Sequence, residues 1–250
     1  MKSRVLERAP ISDPLCIDDS FVEDVERYLF AKEFVRGKRV VDIACGTGYG
    51  SYLMWKQGGA RSVLGVDSSD EAIAIAERFS VPGIVDFCLG AAELIPIESS
   101  TVEVAISMET IEHLSDPLPL LKELRRTLGV GGMAIISTPL NNDGTRLKPE
   151  NPYHLREYSS QEFSALVASV FNKVEMYTQL TKYQDDLWPE SLESKQIVSN
   201  SRRYLRLITP APLRQFIRGV VGSRGLHASR SHVVKGINEQ GSVQIAVCSF

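Results

Sequence analysis

Nothing in this 250-residue chain has the unbroken apolar length of a membrane span. The opening stretch, MKSRVLERAPISDPL, lacks the apolar run of a secretory signal, which predicts a cytoplasmic protein. Cysteine is scarce. Cys16, Cys45, Cys88 and Cys248 are scattered without C-x-x-C spacing, so they read as reduced thiols and not as a disulfide framework. An excess of charge of one sign is also missing. Lys and Arg number 28 against 31 Asp and Glu, and a net charge of −3 gives no bulk basic balance pointing to nucleic acid. No internal repeat or low-complexity stretch appears. What remains is a composition 43% hydrophobic, enough for a globular core, and a length suited to one α/β domain with an elaboration or at most two small domains.

The chain is organised around Arg39–Gly50, RVVDIACGTGYG. Val40, Val41 and Ile43 read as a buried strand, a glycine-rich turn follows, and Tyr52, Leu53 and Trp55 mark a helix. Small residues let a ligand approach the backbone, and the helix start offers unbonded N–H groups. A dinucleotide fingerprint needs a third glycine at position 51, where Ser51 stands. Instead Asp42 precedes Gly46 at the strand end. A carboxylate there would repel a pyrophosphate and attract a cation. Cys45 reads as a small space-filling residue more readily than as a nucleophile. The pattern D-x-A-C-G-x-G-x-G resembles the first motif of the class I S-adenosylmethionine-dependent methyltransferases, whose cofactor carries a sulfonium and an amino group and no phosphate. The resemblance implies a doubly wound, seven-stranded, mainly parallel sheet with a reversed last strand. It also implies a cofactor site of Asp42, Ala44, Gly46, Gly48, Asp67, Ser68, Ala92, Glu93 and Met108.

The rest of the chain fits that plan. Residues 1–20 are expected to form an arm over the cofactor site. Phe21–Phe34 has helical spacing, and within it Arg27 is either a solvated surface charge or a cofactor contact. The segment RYLFAKEFVRGKRVVDIACGTGYGS, with ERAPI upstream, is similar to a bacterial methyltransferase group associated with polysaccharide pathways. Strands are expected at Ser62–Val66, Ile84–Cys88, Val102–Ser107 and Met133–Thr138, with helices at Asp70–Phe79 and Pro117–Leu128. Asp67 falls 21 residues after Gly46, the distance at which a strand-end carboxylate meets ribose hydroxyls. Ser69 or Asp70 can cap the next helix, leaving Asp67 for the ribose. Where the family often has G-D-A, this chain has Gly90-Ala91-Ala92, so adenine recognition falls to backbone near Ala92 or to Glu93. The last two strands are expected at Lys173–Gln179 and Val243–Ser249. The methyltransferase domain would then be 1–180 with 241–250, and 181–240 a helical, basic insertion. Between Ser201 and Lys235 that insertion has seven arginines, one lysine and no acid. It reads as a structural lid, an anion-binding lid, or a peripheral membrane contact suited to a lipid-linked substrate.

After the fourth strand, Glu109, Glu112 and His113 are spaced i, i+3, i+4, which on a helix shares one face. Their place at the carboxyl end of a strand is where open α/β sheets bind ligands. E-x-x-E-H is similar to the metal-binding motif of two methyltransferase groups, one acting on RNA 3′-end hydroxyls and one on catechol-like ubiquinone intermediates. His154, Glu157, Tyr158 and Ser159 repeat a pattern that, in the RNA group, supplies a further histidine. The resemblance implies Mg2+ or another divalent metal on Glu109, Glu112, His113 and His154, with His113 and Glu112 as catalytic residues. The plainer alternative is His113 acting alone as general base. The chain is therefore expected to methylate a hydroxyl of a sugar or another small diol-bearing metabolite. The rivals are an RNA-end 2′-O-methyltransferase, a small-molecule N-methyltransferase and a non-catalytic cofactor-binding module. The sequence leaves the oligomeric state open.

Overall fold

The computed structural model describes residues 19–141, 149, 151–182, 230–238 and 241–250. The expected N-terminal arm and the basic helical pieces of the insertion lie outside the described residues. The elements run α1 (Asp19–Ala31), β1 (Arg39–Ile43), α2 (Tyr49–Lys56), β2 (Ser62–Asp67), α3 (Asp70–Ala76), β3 (Val85–Leu89) and β4 (Val102–Ser107). They continue with α4 (Leu118–Thr127), β5 (Leu128–Pro139), α5 (Ser160–Ala168), β6 (Lys173–Lys182), β7 (Arg230–Lys235) and β8 (Val243–Ser249).

Among the described residues one sheet holds all eight strands, in the order β3-β2-β1-β4-β5-β8-β6-β7. β1 to β5 pair in parallel, whereas β8 runs antiparallel to both β5 and β6. That is the expected doubly wound sheet with a reversed last strand. The strand count is corrected from seven to eight, because β7 pairs antiparallel with β6. β7 falls inside the range assigned to the insertion. Its RSHVVK sequence has only two aliphatic residues, too few for a strand to stand out from the basic run around it.

Alternation along the strands fills two cores. Val41 and Ile43 point to the side covered by α4 and α5, with Leu120, Leu121, Leu124 and Phe163. Val40 points to the other side, where α1 and α2 contribute Val25, Tyr28, Leu53 and Met54. Both faces of β1 are thus dry, which is why it reads as a continuous apolar run. The expected Gly131-Gly132 turn is a bulge within β5. Pairing with β4 jumps from Val102–Leu128 to Val104–Met133, and Gly131 takes a positive φ of 74°. The strand order reverses between β1 and β4, so the crevice outside their carboxyl ends is where such a sheet takes a ligand.

Candidate active site

The loop leaving β1 is held in a left-handed backbone at three points, Ala44 (φ 58°), Gly46 (φ 55°) and Gly48 (φ 81°). A side chain at Gly48 would put its Cβ 2.6 Å from that of Ala76, and one at Gly50 would sit 2.1 Å from the Tyr28 ring. A Cβ at Gly46 would meet nothing within 4 Å. Gly48 and Gly50 therefore allow α2 to pack close, while Gly46 leaves an open backbone facing a cavity of about 350 Å³.

Two strand-end carboxylates hold this loop. Asp42 is wholly buried and accepts hydrogen bonds from Ser51 Oγ at 2.6 Å and Tyr28 OH at 3.1 Å. Burial pushes its pKa up to about 7, against the pull of those two hydroxyls. It ties α1 to the first turn of α2 and does not line the cavity. Asp67, the expected ribose contact, also binds backbone of its own chain. Its Oδ2 accepts from Gly46 N at 2.8 Å, and its Oδ1 accepts from Ser69 N at 2.9 Å. Ser69 caps α3 as expected, accepting from Ala72 N at 3.2 Å. Among the remaining cofactor candidates, Ala44, Gly46 and Met108 line the cavity. Gly48, Ser68, Ala92 and Glu93 do not.

The α1 wall of the cavity supplies Glu23, Asp24, Arg27 and Tyr28. Arg27 is no surface charge: its side chain is 4% exposed. It donates to Asp24 and, at 2.8 Å, to Gln179 Oε1 on β6. Its Nε is buried without a hydrogen-bond partner and lies 3.9 Å from Glu109 Oε1. Burial pushes the Asp24 carboxyl up to about 6, although the adjacent Arg27 pulls it down. Tyr49 OH reaches Asp24 Oδ2 at 3.3 Å.

Across the cavity stands the acid and histidine cluster. The expected single helical face is corrected, because Ile111–His113 is only one 3-10 turn and Glu109 precedes it at φ 47°. Glu109 consequently turns to Ser137 Oγ, which donates to its Oε1 at 2.6 Å. Glu112 is fully buried. Thr138 Oγ1 donates to its Oε2 at 2.9 Å, while Oε1 has no hydrogen-bond partner and lies 3.8 Å from His113 Nε2. Burial drives the Glu112 pKa well above the carboxylate range, and the Glu109 charge pushes the same way. The His113 and His154 rings stand edge to face, 5.0 Å between centroids. One donor atom each from Glu112, His113 and His154 falls within 4.8 Å of the other two. Glu109 is not in that group. An orphaned, buried carboxylate oxygen beside two imidazoles is a donor set that fits a divalent ion of borderline character.

Sequence reasoning brought Ala44, Gly46, Met108, Glu109, Glu112, His113 and His154 to one cavity. It missed Asp24, Tyr49, Ser137 and Thr138. The S-T-P ending of β5 was a usable signal, since hydroxyls at a strand's carboxyl end face the ligand side of such a sheet. Asp24 and Arg27, three residues apart on α1, were another.

Residues 41–136 match the family model described as a methyltransferase domain. A probable S-adenosylmethionine-dependent methyltransferase of Mycolicibacterium smegmatis is 34% identical over 141 residues, covering 56% of this chain and 53% of that protein. A ubiquinone biosynthesis O-methyltransferase of Cereibacter sphaeroides is 31% identical over 124 residues, 49% of either chain. This chain therefore spans about half the length of these curated relatives. Among solved structures, the complex of a Haloferax volcanii putative methyltransferase with the Trm112 activator matches at a TM-score of 0.59 and 16% identity, covering 92% of both chains, a likeness of fold. Residues 41–136 thus form a methyltransferase domain that resembles those of S-adenosylmethionine-dependent methyltransferases.

Proposed function

We propose that this protein transfers a methyl group from S-adenosylmethionine to a hydroxyl of a sugar or another small diol-bearing metabolite. The observation that carries this reading is the shared cavity. The open backbone of Ala44–Thr47 forms one wall, and the Glu112, His113 and His154 cluster forms another. A donor seated on the first wall and an acceptor at the second would meet between them. Arg27, with Asp24 and Glu23 beside it, presents both charges to the same space, which suits the carboxylate and ammonium of the donor's amino-acid end.

When bound, the donor supplies a methyl already activated on sulfonium, with a neutral thioether as leaving group. The protein's work is alignment and removal of one proton. His113 is placed for the proton: its Nδ1 lies 3.1 Å from the Tyr153 carbonyl, which accepts from it in the Nδ1–H tautomer and turns Nε2 to the cavity. Glu112 Oε1 lies 3.8 Å from that Nε2, within reach of the ring as it takes the proton. In the alternative arrangement, a divalent ion on Glu112, His113 and His154 would occupy His113 Nε2 in place of the proton and would lower the pKa of a hydroxyl bound to it. Two neighbouring hydroxyls suit such a site better than one, and that is why a diol is the acceptor class. The ubiquinone-pathway relative bears an O-methyltransferase name, in keeping with a hydroxyl acceptor.

Incubating the purified protein with methyl-labelled donor and a panel of sugars, nucleotide sugars and catechols tests the proposal. Label in an alkali-stable ether on a vicinal diol supports it. Label found only on amines, or only on RNA ends, replaces it with one of the rival acceptors.

A further inference from the structure

The two histidines of the cluster are not loose side chains on a loop. His154 Nδ1 lies 2.8 Å from Glu157 Oε1, and the two side chains are 11% and 8% exposed. Its Nε2 lies 3.1 Å from Asn151 Nδ2, an amide nitrogen that only donates. An imidazole nitrogen that meets a donor must be the acceptor, so the proton sits on the other nitrogen, facing Glu157. Asn151 Oδ1 meanwhile accepts from Tyr153 N at 3.1 Å, which fixes which end of the amide faces His154. The Tyr153 carbonyl then accepts from His113 Nδ1. One short segment, 151–157, therefore sets the tautomers of both rings, and the His113 Nε2 left open by it lies 3.8 Å from Glu112 Oε1.

We infer that Glu157 is a positioning residue that locks His154 as the Nδ1–H tautomer, leaving Nε2 as the ring's one acceptor, which takes the Asn151 amide here and which a metal ion would take by displacing that amide. Nothing in Glu157 itself reaches that cluster. Its carboxyl acts through the ring, as carboxylates behind metal-bound histidines do, where losing the partner weakens metal affinity about 10- to 100-fold. The inference about metal rests on the metal reading above, but the inference about the tautomer does not.

The test uses the full-length protein in wild-type, Glu157→Gln and Glu157→Leu forms, with circular dichroism and thermal melts to confirm that each folds. Nitrogen-15 NMR of the imidazoles, recorded without metal, reads the tautomer directly. Nδ1–H at His154 in the wild type and in Glu157→Gln, whose amide oxygen still accepts, with loss of that preference in Glu157→Leu, is the expected result. Nε2–H in the wild type, or an unchanged Nδ1–H in Glu157→Leu, overturns it. Mn2+ is then titrated and followed by electron paramagnetic resonance. Affinity about 10- to 100-fold weaker in Glu157→Leu, with Glu157→Gln close to wild type, is expected. Equal affinity in all three contradicts the role in metal binding. If no form takes up Mn2+, the metal reading fails while the NMR result still decides the tautomer.

Discussion

At the scale of single residues, Asp42 makes the sharpest statement. Its carboxyl titrates near 7 in the fold against 3.8 when free, so between about pH 4 and 7 the folded state binds more protons than the unfolded. Stability from this group therefore falls as pH rises through that window and levels off above it, at a cost of roughly 4 kcal/mol once ionised. Asp42→Asn, whose neighbours Ser51 and Tyr28 carry rotatable hydroxyls, should flatten the slope and raise stability at pH 8. Urea melts at pH 5, 6.5 and 8 would show it. A wild-type protein more stable than the variant at pH 8 contradicts the assignment. His113 belongs to the same scale. His113→Ala should lower kcat by about 10²- to 10⁴-fold, the usual worth of a general base, and leave donor affinity within about twofold. Turnover and calorimetry on one preparation separate the two effects, and an unchanged kcat removes His113 from the proton path.

At the scale of elements, α1 does more than cover the sheet. Arg27 links α1 to β6 through Gln179 and lies beside the loop after β4 through Glu109. Arg27→Ala should cost roughly 3 kcal/mol, the low end for a broken buried pair, because Asp24 keeps about a third of its side chain in water. Chemical denaturation checks the stability, and a donor titration should show weaker binding. The glycine loop makes a second prediction. Gly50→Ala forces α2 from the Tyr28 ring and should cost about 1–3 kcal/mol, with a shift of the cavity wall that Tyr28 forms. Elements with a strong pattern were legible in advance. Val40-Val41 followed by three glycines announced β1 and its turn, and Leu120, Leu121 and Leu124 announced the buried face of α4. What stayed hidden depended on neighbours distant in sequence. Arg27 looks like any helix-surface charge until Gln179, 152 residues away, receives it. Glu109 fits a helical i, i+3 spacing until a positive φ turns it toward Ser137. The bond from Gly46 N to Asp67 stayed hidden because that loop amide is a backbone group with no signature of its own.

At the scale of the whole molecule, the sheet order places three separately encoded features at one crevice. These are the β1 loop, the turn after β4 and the 151–157 segment. The fold alone names no substrate, since one architecture hosts many chemistries. The match to a methyltransferase domain points to the donor, and the proposed acceptor rests on the Glu112–His113–His154 cluster. Among the described residues no helix is long and apolar enough to cross a membrane. The most direct measurement is a calorimetric titration of the protein with S-adenosylmethionine and with its demethylated product, beside a nicotinamide dinucleotide. The account predicts saturable uptake of the first two on the order of micromolar, and none of the third. Tight binding of the dinucleotide, with no heat from either thioether-based ligand, would contradict it.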